Sequence, residues 1–220
     1  MPIESNEIKT IRKLKKDGSI SDELISQVVR ALKNREMVLM PVDSIYAIVG
    51  VAGPEMEKSI SKAIGRKKNR FQRLICSFRM LDDLALITKS EYDFLNRVWP
   101  GEITLILKKK EGAAGETIAV RYPRSRYLQE IISRVEEPLI FSNLYRGISK
   151  FPLYKKNDII REFGDSVNLI ILVEELCRSH PRSSLADISA NSLKIIRSGK
   201  VSSEEIKSLY FLGREDAEEY

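Results

Sequence analysis

Apolar residues at positions 24, 25, 28, 29 and 32 recur on one face of a 3.6-residue repeat behind Ser21 and Asp22. That spacing predicts an amphipathic helix over 21–34 with a capped start. Apolar runs at 37–41 and 45–51 read as strands, and the four consecutive apolar residues Met37 to Met40 suit a sheet covered on both faces. Further along, the pattern predicts a helix over 54–64, a strand over 73–78, helices within 80–98 and a strand from Ile103 to Leu107 after the Pro100-Gly101 break. Gly112 to Gly115 form a turn into a strand over 117–121, which Pro123 ends, and a helix over 125–134 leads to a strand over 138–142. The chain closes with a helix over 157–163, strands over 167–173, 185–188 and 193–197, and a helix from Ser202. Strands separated by single helices or tight turns predict an α/β class with a mixed, twisted sheet flanked by helices. There is no internal repeat and no long linker, so a single domain over 1–220 is expected. The helix over 21–34, the Val98-Trp99 pair and the apolar strands supply its core, with Trp99 buttressing the sheet.

The first strand breaks at an informative place. Pro41, Asp43, Ser44 and Tyr46 interrupt the apolar run over 37–50. Pro41 cannot donate to a ladder and marks where pairing stops. A carboxylate, a hydroxyl and a phenol then fall at the carboxyl end of a strand, where open α/β sheets bind ligands. The competing reading is an ordinary junction in which Asp43 and Ser44 cap the next helix.

Composition narrows the chemistry. Of 220 residues, 43% are apolar and 31% charged, and no stretch approaches the roughly 20 apolar residues of a membrane helix. Glu4, Asn6, Glu7, Lys9, Arg12 and Lys13 interrupt every apolar window near Met1, so a secretion signal is not expected and a cytoplasmic protein with no membrane partner is. Cys76 and Cys177 lack metal-ligand spacing and read as core thiols. His180 is the sole histidine, which leaves little material for a histidine-rich zinc site or a His-centred triad. Catalysis would run on hydroxyls, carboxylates, Lys and Arg.

Charge is uneven. The formal net charge is +6, and residues 62–73 hold Lys62, Arg66, Lys67, Lys68, Arg70 and Arg73 without one acid. Such a field draws phosphates or nucleic acid, against the plainer reading of a solvated helix end. Glu215, Asp216, Glu218 and Glu219 form an acidic tail.

Six segments in order carry a family resemblance: Pro41-Val42-Asp43-Ser44-Ile45-Tyr46-Ala47, the basic stretch around Arg66, Trp99 to Leu107, Ile118 to Pro123, Ser183 to Ile188 and Ile195 to Gly199. Together they resemble the YrdC/YciO family, which includes the threonylcarbamoyl-AMP synthases, over about residues 20–208. The resemblance implies a single twisted α/β domain with a large open cavity. It implies ATP as a substrate, Mg2+ with it, and formation of threonylcarbamoyl-adenylate from threonine and bicarbonate for a modified adenosine in tRNA. The additional C-terminal domain of longer members is not expected within these 220 residues.

By the same resemblance, Arg66, Ser142, Asn143 and Arg197 would meet the nucleotide, while Ser44, Arg121 and Ser184 would meet the amino-acid substrate. Arg121 matches a clamp for a carboxylate, a bidentate task that suits a guanidinium. An ordinary strand-end ion pair is the alternative. Asp187 has a capping role and Ser183 and Ser198 read as turn residues. The chain departs from the family pattern at Val42, Ser44 and Ala47, at Ile64, which stands where the family has a lysine, and at Asn143-Leu144-Tyr145. These departures resemble the YciO branch. Two functions are therefore expected to compete: an acyl-adenylate-forming enzyme, or a non-catalytic protein whose Lys62, Lys67, Lys68, Arg70 and Arg73 bind double-stranded RNA or tRNA through phosphates and shape. No aromatic row for reading single strands is present.

Overall fold

The computed structural model describes residues 7–43, 45–65, 71–112, 116–145, 153–176, 181–190 and 192–212. In chain order these residues form β1 (Glu7–Ile11), α1 (Asp22–Lys33), β2 (Val38–Val42), β3 (Ile45–Val51), α2 (Pro54–Ala63), β4 (Gln72–Leu74), α3 (Phe78–Asp82) and β5 (Ala85–Leu86). Next come α4 (Lys89–Val98), β6 (Ile103–Lys109), β7 (Thr117–Arg121), α5 (Arg126–Val135), β8 (Leu139–Asn143) and α6 (Lys156–Phe163). The last are β9 (Leu169–Val173), β10 (Ser184–Asp187), β11 (Lys194–Arg197) and α7 (Ser203–Phe211). They divide into two compact units, one from the described parts of 1–74 and 125–180, the other from those of 75–124 and 181–220.

In the first unit the strands run in the order β1-β9-β2-β3-β8-β4. β9 is parallel to both β1 and β2, whereas the β2/β3, β3/β8 and β4/β8 pairs are antiparallel. Leu39, Ile48, Ile140, Ile170 and Leu172 alternate along their strands and pack with Met56 and Ile60 of α2 and Ile159 and Phe163 of α6. On α1, Leu24, Ile25, Val28 and Leu32 are buried, and this helix packs on α5, β2 and β3. With apolar neighbours on both faces, these strands carry apolar runs rather than alternation, as the sequence predicts. Ser21 accepts the Leu24 amide proton and caps α1.

β2 and β3 join more tightly than their sequence predicts. β2 does not stop at Pro41: it continues to Val42 and folds back as a hairpin into β3, with Pro41 opposite Tyr46. β9 pairs only with Val38 and Leu39, so Pro41 has one ladder neighbour and its missing N–H is tolerated. Asp43 turns the corner at φ +57, a conformation that asparagine and aspartate accept more readily than most residues. Nor does it cap the next helix, since α2 starts from Gly53. Instead its Oδ1 accepts the amide proton of Ser125, the N-cap of α5, at 3.1 Å. The segment before α1 contributes the edge strand β1, which pairs with β9.

The second unit orders its strands β7-β6-β10-β11, with β5 on β6. β6 and β7 are antiparallel, β6 and β10 parallel, and β10 and β11 antiparallel. Its core gathers Phe94, Leu95 and Val98 of α4, Leu105 and Leu107 of β6, and Ile206 and Tyr210 of α7. Trp99 is buried and donates its indole N–H to the Ile103 carbonyl at 2.8 Å, the buttress predicted for it. The strand expected over 73–78 is shorter than its apolar pattern suggests. β4 ends at Leu74, and Ser77 accepts the Met80 amide proton to start α3. Cys76 is a half-buried free thiol; Cys177 and His180 lie outside the described residues. No helix among the described residues is long and apolar enough to cross a membrane.

Candidate functional site

At one end of the second unit's sheet, the starts of β6 and β10 lie beside the ends of β7 and β11. This antiparallel and parallel register brings together residues more than eighty positions apart. Arg121 closes β7, Gly101-Glu102 precedes β6, Ser183-Ser184 opens β10, and Arg197 closes β11. Between Leu185 and Ala186 the β10/β11 register slips, leaving Ile196 as the extra residue and setting Arg197 opposite Leu185. A bulge of this kind re-aims the side chain beside it.

Each group at this end has an identified partner. Arg197 donates from Nε and Nη2 to the Ser183 carbonyl at 3.1 and 2.9 Å. The Ser183 and Thr104 hydroxyls share a buried hydrogen bond of 3.2 Å. Ser184 donates its hydroxyl proton to the Val201 carbonyl and accepts the amide protons of Gly199 and Val201 at 2.9 and 3.1 Å. One donor and both lone pairs are then in use. A Cβ on Gly199 would come within 2.2 Å of the Arg182 carbonyl oxygen, so only glycine lets this turn close on β10.

Arg121 is 4% exposed and its guanidinium meets Glu102 Oε2 at 2.5 Å, while Nε donates to the Gly101 carbonyl at 3.4 Å. The other Glu102 oxygen accepts from Lys200 Nζ at 2.9 Å. One carboxylate therefore bridges two cations. Neither Glu102 nor Lys200 is singled out by the sequence reading. Glu102 sits inside a segment that carried the resemblance, before an apolar strand, and Lys200 directly follows another, after Ser198-Gly199, but no local pattern couples them to Arg121.

In the first unit, Ser142 and Asn143 end β8 beside β3, with Ile48 opposite Ser142 and Ala47 opposite Asn143. The Pro41–Ala47 motif and this pair are thus neighbours. Ser142 is buried and its hydroxyl makes one long bond of 3.4 Å to the Asn143 carbonyl. Tyr46, by contrast, is a structural residue: its buried hydroxyl donates to the Val173 carbonyl and accepts the Val173 amide proton, both at 2.9 Å. Tyr127 donates to the Pro41 carbonyl at 2.9 Å and ties α5 to the hairpin.

Of the basic stretch, Lys62 is exposed at the end of α2 and Arg73 pairs with Glu57 at 2.7 Å. Ile64 caps α2 and packs, half-buried, against the apolar cluster of the first unit. Arg66, Lys67, Lys68 and Arg70, like Ser44, lie outside the described residues. A capping role is expected of Asp187; its Oδ1 accepts from the amide and hydroxyl of Ser189, a local structural contact. Burial pushes the Cys76 thiol above its ordinary pKa, and the Tyr122 phenol likewise, with the Cys76 charge adding to the latter.

A family profile described as Sua5_yciO_yrdC, telomere recombination, matches residues 30–199. The threonylcarbamoyl-AMP synthase of Pyrococcus abyssi is 26% identical over 187 residues, covering 81% of this chain and 54% of that protein. The chain thus spans about half the length of that relative. Among solved structures, E. coli YciO superposes with a TM-score of 0.77 at 19% identity, over 91% of this chain and 98% of its own. P. abyssi Sua5 complexed with L-threonine also gives 0.77, at 24% identity, over 92% of this chain and 60% of that one. The mixed α/β fold with helix-flanked sheet is shared with both.

Proposed function

Because the chain belongs to the Sua5/YciO/YrdC family, we propose that it is a threonylcarbamoyl-AMP synthase-like nucleotidyltransferase acting as one functional domain over 1–220. It takes ATP, bicarbonate and L-threonine, and its product serves tRNA modification. The observation that carries this reading is the charged end of the second unit's sheet, where Glu102 links Arg121 to Lys200 and Arg197 donates to the Ser183 carbonyl. Joining an amine, bicarbonate and a triphosphate requires anions to be held together while charge shifts between oxygens. Fixed cations and backbone-anchored hydroxyls supply that by position and electrostatics, without a histidine. The solution of a protein of the same fold with L-threonine supports the choice of amino acid.

The family resemblance assigns the roles. Arg121 receives the amino-acid carboxylate, and Arg197 receives the nucleotide. Ser184, with its hydrogen-bonding capacity used, is a positioning residue that fixes the 199–201 turn and thereby Lys200. Among the described residues no three His, Cys, Asp or Glu side chains gather into a metal site. Mg2+ would accompany ATP and neutralise phosphate charge.

The test is pyrophosphate release from ATP and Mg2+, with and without threonine and bicarbonate, alongside calorimetric titration of ATP. Threonine-dependent release, lost in Arg121→Lys at retained thermal stability, is the expected result. Failure to bind ATP overturns the reading, and salt-dependent binding of duplex RNA in that case would establish the non-catalytic alternative.

A further inference from the structure

We propose that Glu102 is a built-in occupant of the carboxylate clamp: it fills the place on Arg121 that a ligand carboxylate must take, and so sets how strongly this chain selects carboxylate-bearing ligands. The inference rests on the reading of Arg121 as that clamp. Three observations lead to it. Arg121 is nearly inaccessible, yet its guanidinium already holds a carboxylate at contact distance. The same carboxylate is bridged by Lys200, so two cations of this cluster are turned toward one internal anion. Glu102 itself is tethered by its backbone, whose carbonyl accepts the Ser184 amide proton at 3.0 Å, while its side chain stays 19% exposed.

Those facts define an exchange of like for like. A buried guanidinium left without a counter-charge is costly, so Arg121 keeps a carboxylate at all times. A ligand carboxylate that replaces Glu102 preserves that balance, and the displaced side chain swings outward while the strand start stays in place. The ligand must out-compete a tethered carboxylate whose effective concentration is high, which weakens its apparent affinity. A ligand without a carboxylate gains nothing from the exchange.

The experiment compares L-threonine with L-threoninol, which keeps the amine and the hydroxyl but lacks the carboxylate, by calorimetric titration of wild type, Glu102→Gln and Glu102→Ala in the presence of ATP and Mg2+. Thermal unfolding of all three confirms that each is folded. Glutamine retains an acceptor for Lys200, so it guards against a loss of structure that alanine alone would cause. The expected result is a Kd for L-threonine at least tenfold lower in Glu102→Gln, with threoninol changed less than threefold. An unchanged or weakened affinity for threonine, an equal gain for both ligands, or no threonine binding in any form overturns the proposal. Pyrophosphate release by the wild type separates the two claims: release without a threonine-selective gain leaves the synthase reading standing and removes the role of Glu102. A selective gain without release does the reverse.

Discussion

Ser184→Ala isolates a single hydroxyl whose role can be calculated. In the folded protein this Oγ donates to the Val201 carbonyl and accepts from the Gly199 and Val201 amides, so one atom pins a turn 15 to 17 residues further along the chain. Alanine leaves three backbone groups without that partner. A buried orphan costs about 1–3 kcal/mol each. Gly199 and Val201 are half-buried, so water recovers part of the loss, and the total is set at about 2–3 kcal/mol. For a chain of this size that corresponds to a fall in Tm of roughly 5–10 °C. Thermal unfolding followed by circular dichroism, with urea titration for the free energy, measures it. Activity should fall in step, because Lys200 sits in the loosened turn. A Tm within about 1 °C of wild type, accompanied by lost threonine binding, would refute the reasoning and make the hydroxyl a direct ligand contact.

Tyr46→Phe removes a buried hydroxyl that bonds both the carbonyl and the amide of Val173, and should cost about 2–4 kcal/mol in urea unfolding while leaving any ligand affinity per folded molecule unchanged. The raised thiol of Cys76 predicts slow alkylation: at pH 8 its peptide should label with iodoacetamide more slowly than an unstructured cysteine, as read by mass spectrometry. The same shift fixes a sign. Cys76 and Tyr122 hold their protons to higher pH when folded than when unfolded, so the stability they contribute is intact below the ordinary thiol pKa of 9.0 and is lost as pH rises through the raised values. Unfolding midpoints at pH 8 and pH 10.5 check it, with a lower midpoint at the higher pH.

The sequence by itself determined the class of fold and most of the elements, because period and cap are local signals. Ser21 before a 3.6-residue repeat specifies α1 wherever the helix is placed. Long apolar runs such as Met37 to Met40 require a sheet with both faces covered. Ordered motifs also placed Arg121, Ser183, Ser184 and Arg197 in the segments that meet at one end of the second unit. The third dimension decided who faces whom. Asp43 reads as a cap for the following helix until the hairpin carries it to Ser125, 82 residues on. Tyr46 reads as chemistry until Val173 arrives by a parallel pairing of β9 with β2. Glu102 and Lys200 carry no local signal at all. Their charges are coupled to Arg121 only when β6 lies between β7 and β10, since an ion pair depends on separation in space and is blind to separation along the chain.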